Sequence, residues 1–268
     1  MEGEVLDIEL VNNYREKYVA FLDLLGFREL VKRSGQDVIE RNRVIQALKL
    51  VRDTLVENPA IDFRFTYFSD SIIFSADHTP GSLWQIFQSI ELLTCNLLQY
   101  DVLVRGGLTV GLIHHSEDFV FGTAVGEAYE LESKLANSPI VLLSQRVADE
   151  AYALGADFRQ WLKEDGPGRF FVHYLMRYAE YTEVSEVGKV ILTYPAKRIA
   201  HFVGKRLVND EGGVLRKAEW FQGYWNESVA ARGVLPHIGI EAASTELEQP
   251  PTIIYRRLVA PVASRNEH

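Results

Sequence analysis

Apolar residues run unbroken from Tyr18 to Leu22 and resume at Leu24 and Leu25, with one carboxylate, Asp23, between them and Gly26 closing the run. Apolar side chains on both faces of so short a segment predict a strand over 17–24 that is buried on both sides. A helical period follows across 37–58, where Val38, Ile39, Val44, Leu48, Val51 and Leu55 recur and Asp37 stands as an N-cap. Residues 62–77 return to alternation. Phe63, Phe65 and Tyr67 interleave with Arg64, Thr66 and Phe68, which predicts two strands joined by a tight turn at Ser69–Asp70. Next come an amphipathic helix over 81–99, a strand over 102–111, a helix over 123–136, a strand over 139–144 and a short helix over 145–152. Gly106 and Gly107 in the middle of the 102–111 strand predict a bulge, or close approach by another chain or a ligand.

The order through residue 144 is β-α-β-β-α-β with additions. That predicts an α/β (α+β) fold, a ferredoxin-like split βαβ palm with a central antiparallel sheet, helices on its face and C-terminal additions. Such a palm sets the end of the first strand, with Asp23, beside the hairpin turn carrying Asp70. Beyond residue 155, residues 169–176 are expected to dock on the core, 196–208 and 215–232 to be helical, and 251–259 to form a late strand. The expected division is a tail over 1–15, a main domain over 16–195 and an extension over 196–268 packed on it.

Composition narrows the class. At 268 residues, 47% hydrophobic and 24% charged, the chain is long enough for a substantial core and ordinary for a globular protein. A net charge of −9 gives no global attraction for nucleic acid or anionic lipid, so neither nucleic acid nor membrane is an expected partner. The single Cys95 excludes an intrachain disulfide and reads as a small buried hydrophobe. No apolar run is long enough to span a bilayer, and the acidic start "MEGEVLDIEL" lacks the basic region of a signal peptide, so a cytoplasmic location is expected.

Two carboxylates at neighbouring strand ends suit hard divalent cations such as Mg²⁺ or Mn²⁺. Gly26 permits a tight turn, Phe27 can open a helix, and the amides there favour phosphate. Residue types alone leave a second reading open, with Asp23 a helix N-cap and Asp70 an ordinary turn residue. His114 and His115, adjacent on a strand, face opposite ways and do not share a metal. "EDGPG", residues 164–168, is a turn without the Lys and Ser/Thr of a phosphate loop. Lys197, Arg198, Arg256 and Arg257 are expected to be solvated.

Four segments carry a family resemblance. "FLDLLGF" is similar to the first metal motif of class III nucleotidyl cyclases, and "FSDSIIFS" resembles their second, with Ser69 where Gly is usual. "VRGGLTVG" and "FGTAVGEAYELESKLANSPIVLLS" resemble the family's central strand and the helix that follows it. The four occur in the family's order over residues 16–145, with the two aspartates 47 positions apart. The resemblance implies that 16–195 is a catalytic domain turning a nucleoside triphosphate into a 3′,5′-cyclic monophosphate and pyrophosphate. It implies two divalent cations per site, Mn²⁺ or Mg²⁺, held by Asp23, Asp70 and the Leu24 carbonyl. One would activate the ribose 3′-OH and the other grip the triphosphate, while Leu25, Gly26 and Phe27 cradle phosphate.

The departures are informative. The positions at which purine cyclases read the base fall on Thr66 and near Phe119, and the family's ribose-orienting Asn and transition-state Arg fall on Gly126 and Glu130. This pattern resembles the bacterial pyrimidine cyclases of Pycsar anti-phage systems. That branch implies cyclic UMP or cyclic CMP as a second messenger read by a separate effector, with uridylate cyclase favoured. It also implies a homodimer whose sites join the aspartates of one chain to the Tyr129/Lys134 region of the other. Lys134, one helical turn beyond Glu130, is a candidate for the missing cation. Thr66, Tyr67, Arg105 and Tyr129 are candidates for the base pocket, with Tyr67 on the strand face opposite Thr66, so that at most one of that pair faces the base. The alternatives are a cytidylate cyclase, a purine cyclase with an unusual pocket, and a catalytically inactive cyclase-like binding module. A diguanylate cyclase is disfavoured because the hairpin reads "FSDSI" rather than a GGDEF-type turn.

Overall fold

The first strand extends beyond its apolar run. In the computed structural model, which describes residues 14–166, 168–176, 182–184, 190–192 and 194–230, β1 spans Arg15–Leu25. It lies antiparallel between β3 (Ser71–Asp77) and β4 (Leu103–His115). β2 (Arg64–Phe68) covers the outer edge of β3, and β5 (Val120–Phe121) folds back on the end of β4. β6 (Val141–Leu143) runs parallel to β4, and the hairpin of β7 (Leu162–Asp165) and β8 (Arg169–Val172) finishes the far edge. The sheet order β2-β3-β1-β4 is the split βαβ arrangement, and the fold is α/β with helices on the sheet.

Helices α1 (Phe27–Ser34) and α2 (Val38–Thr54) join β1 to β2, and α3 (Pro80–Leu98) joins β3 to β4. The N-cap at Asp37 forms as expected, its carboxylate accepting from the Ile39 amide at 2.7 Å. The helix ends at Thr54 rather than 58, since the chain must turn through Pro59–Ile61 to enter the hairpin.

The two apolar faces of β1 meet different helices. Tyr18, Ala20, Leu22 and Leu24 join the main core with Leu50, Phe87 and Ile90 of α2 and α3. Val19 meets Ala124 and Ala128 of α4 (Thr123–Glu130) on the other face. The glycines of β4 explain how α4 comes so close. A Cβ on Gly107 would stand 2.3 Å from the Ala128 carbonyl oxygen and 2.5 Å from Leu131 Cβ. A close approach is made at Gly107, but by the chain's own helix rather than by another chain or a ligand. Gly107→Ala is expected to cost about 1–3 kcal/mol by overpacking, read from urea denaturation. An unchanged midpoint would show that α4 retreats freely.

After α5 (Gln145–Ala153) and α6 (Ala156–Arg159), Gly166 and Gly168 turn the β7–β8 hairpin with positive φ, as the turn expected at 164–168 requires. β9 (Thr182–Val184) and β10 (Val190–Leu192) form a separate ribbon. Helices α7 (Tyr194–Asn209) and α8 (Gly212–Ala230) then build a second core. Ile199, Val203, Phe221 and Trp225 pack there with Leu25, Leu98, Leu103 and Phe171. Cys95 is buried as expected, its Sγ donating to the Tyr174 carbonyl at 3.2 Å.

Lys197 is exposed, but Arg198 is buried rather than solvated. Its Nε donates to the Gln99 carbonyl at 2.8 Å, and its guanidinium lies near the rings of Tyr100 and Phe202. The reason is positional: α7 packs on the C-terminal end of α3, where carbonyls lack helical donors. Arg206 anchors the same junction, donating to Asp101 Oδ1 at 2.7 Å and to its carbonyl at 2.9 Å. Residues 1–13, the strand expected at 251–259, and Arg256 and Arg257 lie outside the described residues. No helix among the described residues is long and apolar enough to cross a membrane.

Candidate functional site

Asp23 projects from the α4 face of the sheet, where its register neighbours are Ser71 on β3 and Arg105 on β4. Asp70 sits in the two-residue turn between β2 and β3, and the Leu24 amide donates to its carbonyl at 2.8 Å, pinning the turn across the end of β1. Ser69, before it, holds φ at +57°, the left-handed conformation for which such hairpin turns favour glycine. The Asp70 carboxylate makes no hydrogen bond or ion pair among the described residues. Gly26 turns the chain out of β1 at φ +79°, and α1 begins there without a side-chain cap. The first amides of α1 are therefore unclaimed and carry the positive end of the helix dipole.

These features meet in one open cavity of about 460 Å³, lined by Asp23, Asp70, Gly26, Arg105, Tyr129 and Glu132, among others. Leu24 and Leu25 also border it; the Phe27 side chain does not, being 3% exposed in the core. Arg105 Nη2 lies 3.5 Å from Asp23 Oδ2 and pairs more closely with the Glu132 carboxylate. Burial pushes the Asp23 carboxyl above its usual range; Arg105 opposes this and the Asp70 charge reinforces it. Glu132 is raised by burial in the same way, again against the pull of Arg105.

The donor set fits a hard cation. A half-buried Asp23, whose one ion pair among the described residues is to a guanidinium it shares with Glu132, gains from a further positive charge, and the Asp70 carboxylate is free to supply oxygen ligands beside it. No group of three or more His, Cys, Asp or Glu side chains among the described residues is arranged to hold a metal. A cation here would complete its shell with backbone and ligand oxygens.

Arg105 and Tyr129 stand at the cavity with the aspartates, Tyr129 half-exposed and edge-on to Phe21 at 5.4 Å between ring centres. Tyr129 therefore lines the cavity of its own chain's aspartates. Thr66 shares the sheet face of Asp23 but lies outside the cavity lining. Its hydroxyl is 3.0 Å from His115 Nε2, and His115 Nδ1 lies 2.8 Å from the Ser75 hydroxyl. Burial, aided by the charges of Lys17 and Arg64, holds His115 down to about 4, so it is a neutral structural residue. Tyr67 falls on the opposite face, stacked on Phe65, as strand alternation requires. Phe119 is exposed in the loop before β5 and does not border the cavity.

Lys134 does not enter the cavity either. It pairs with Glu130 at 2.7 Å, both side chains exposed. After Glu130 the helix widens into a π-helical turn over Leu131–Leu135, with the Ala136 amide donating to the Leu131 carbonyl at 2.9 Å. Glu132 and Ser133 reach the cavity from that turn, and Arg28 reaches it from the first turn of α1. None of these three is among the site residues expected from the sequence. The three-residue spacing from Tyr129 was the available signal for Glu132.

No family model and no curated protein matches the chain. Among solved structures it is similar to a class III adenylyl cyclase-like ATP-binding protein from Pseudomonas aeruginosa, with 15% identity and a TM-score of 0.37 over 50% of this chain and 34% of that one. It is also similar to an adenylate/guanylate cyclase/hydrolase from Silicibacter pomeroyi, with 15% identity and a TM-score of 0.35 over 59% of this chain and 95% of that one.

Proposed function

We propose that the protein is a metal-dependent pyrimidine nucleotide cyclase that converts UTP, or failing that CTP, to the 3′,5′-cyclic monophosphate and pyrophosphate. The observation that carries this reading is the meeting of Asp23 and Asp70 in one open cavity beside the Gly26 turn and the uncapped start of α1. The motif order over residues 16–145 supports it independently.

Asp23, Asp70 and the Leu24 carbonyl would hold two divalent cations, Mn²⁺ or Mg²⁺, which supply Lewis-acid activation of the ribose hydroxyl and charge neutralisation of the phosphates. The chain's own groups position the substrate. The α1 amides and Arg28 face the phosphates, Tyr129 walls the cavity with ring area, and Arg105 is held by Glu132 for a polar contact with base or phosphate. Thr66 and Phe119 offer neither the Lys nor the Asp of an adenine reader, which favours the smaller base. Residues 16–195 form the catalytic domain, with 196–268 as its extension. A homodimer that brings the exposed Lys134 to a neighbouring site, and a role in bacterial anti-phage defence through a separate effector, belong to the same proposal.

A second reading, an inactive cyclase-like binding module, is favoured by Gly126 and Glu130 standing where the family pattern has Asn and Arg. Incubation with Mn²⁺ and each ribonucleoside triphosphate, with products identified by mass spectrometry, separates the two. Cyclic UMP is the expected main product. Cyclic AMP in its place would overturn the base assignment, and triphosphate binding without any cyclic product would establish the module.

A further inference from the structure

Arg105 stands between two carboxylates, and only one of them is assigned to the cations. It lies directly across from Asp23 in the β1–β4 register, with Nη2 3.5 Å from Asp23 Oδ2. On its other side it pairs more closely with Glu132, which is 3% exposed. The Arg105 Nε is buried and makes no hydrogen bond among the described residues, so these two carboxylates are what hold the guanidinium. Glu132 has no other ion-pair partner among the described residues.

The placement of Glu132 is built into the fold. Arg105 and Gly107 share a face of β4, and the missing side chain at Gly107 lets Ala128 and Leu131 press against that strand. Glu132 follows Leu131 in the π-helical turn, which carries its carboxylate inward to Arg105, while Lys134, two residues on, stays exposed. Such single turns inside a helix are frequent at functional sites. A carboxylate this deeply buried is costly unless it is paired, and Arg105 is the partner the turn delivers it to.

A cation at Asp23 and the Arg105 guanidinium compete for the same carboxylate. Arginine stays charged, so it does not yield by losing a proton. It yields only to another anion, and Glu132 is placed to be that anion. We propose that Glu132 is a positioning residue that holds Arg105 off Asp23, leaving the Asp23 carboxylate open to a divalent cation without stranding the guanidinium unpaired. This rests on the nucleotide reading above and adds to it the residue that sets the affinity of the site for its cations. Without the Glu132 charge, Asp23 is the only carboxylate left to Arg105 among the described residues, and that pair closes at the cation's expense.

The test is the Mn²⁺ affinity of the full chain, read from the paramagnetic resonance signal of the free ion, with and without 3′-deoxy-UTP, which cannot cyclise. Glu132→Gln is expected to weaken Mn²⁺ binding about tenfold or more, since a charge-assisted bond between Arg105 and Asp23 must then be broken. In an Arg105→Gln background the same change is expected to matter less than about twofold. Equal losses in both backgrounds would overturn the proposal, because Glu132 would then act on the ion directly. Wild-type affinity in Glu132→Gln would overturn it as well. Arg105→Gln alone leaves Glu132 buried without its partner. If that variant does not fold, the double variant, which removes both charges of the pair, decides the matter. Affinity at or above that of wild type is expected of it, and a loss as large as that of Glu132→Gln overturns the proposal. Each contrary result leaves the nucleotide reading intact if wild type binds Mn²⁺ with 3′-deoxy-UTP. Wild type that binds no Mn²⁺, alone or with the nucleotide, overturns both.

Discussion

Asp70→Asn is expected to give a folded protein whose turnover falls by about a thousandfold or more, the loss of several kcal/mol of metal-borne charge stabilisation. The fold should not notice the change. Asp70 holds the end of β1 through its carbonyl, which accepts from Leu24, while its carboxylate has no hydrogen-bond or ion-pair partner among the described residues. Asparagine suits a tight turn as well as aspartate does. The variant therefore separates chemistry from architecture in a way that Asp23→Asn does not, because Asp23 also pairs with Arg105 at 3.5 Å. Initial rates with UTP and Mn²⁺, read beside the thermal midpoint, check it. Activity within about twofold of wild type would remove Asp70 from the metal assignment, since a ligand's loss is worth far more.

Asp62→Asn is expected to destabilise the protein by about 3–5 kcal/mol, because it leaves a buried charge without its partner. Lys17, fully buried at 0% exposure, pairs with Asp62, which also accepts from Arg15 at 2.9 Å and Arg64 at 2.6 Å. Asn keeps the left-handed backbone at φ +42° that Asp62 adopts, so the change isolates the charge. Burial alone would raise the Asp62 carboxyl; the hydrogen bonds from Lys17, Arg15 and Arg64 outweigh it and hold it at about 2. A carboxyl depressed on folding contributes stability that is complete above its unfolded value of 3.8 and is lost as pH falls through about 2. Urea midpoints should drop across that window in wild type and lack this component in Asp62→Asn. Equal stability of the two at neutral pH would show that Lys17 finds other compensation.

The central strand and its carboxylate were legible because burial on both faces leaves a strand few places in a sheet, and the β-α-β-β order then fixes its neighbours. Gly107 was legible as a close approach, although its partner, the Ala128 carbonyl, was not. The parity of Thr66 and Tyr67 followed from strand alternation, but which of them shares the Asp23 face depends on pairing register across β3. Lys134 lies outside its own chain's cavity, where the helix widens into a π-helical turn at Leu131–Leu135 that a fixed helical period does not foresee. Arg198 misled because a charged residue on a helix reads as solvated until the helix's own packing surface is known.

Electron paramagnetic resonance of Mn²⁺ bound with 3′-deoxy-UTP tests the central claim most directly, because it reads the cations that Asp23 and Asp70 are assigned to hold. A dipole-coupled pair of Mn²⁺ ions is expected in wild type, and loss of that coupling in Asp70→Asn. A wild-type protein that retains no Mn²⁺ with the nucleotide, or a coupled signal that persists when both aspartates are changed to asparagine, would contradict it.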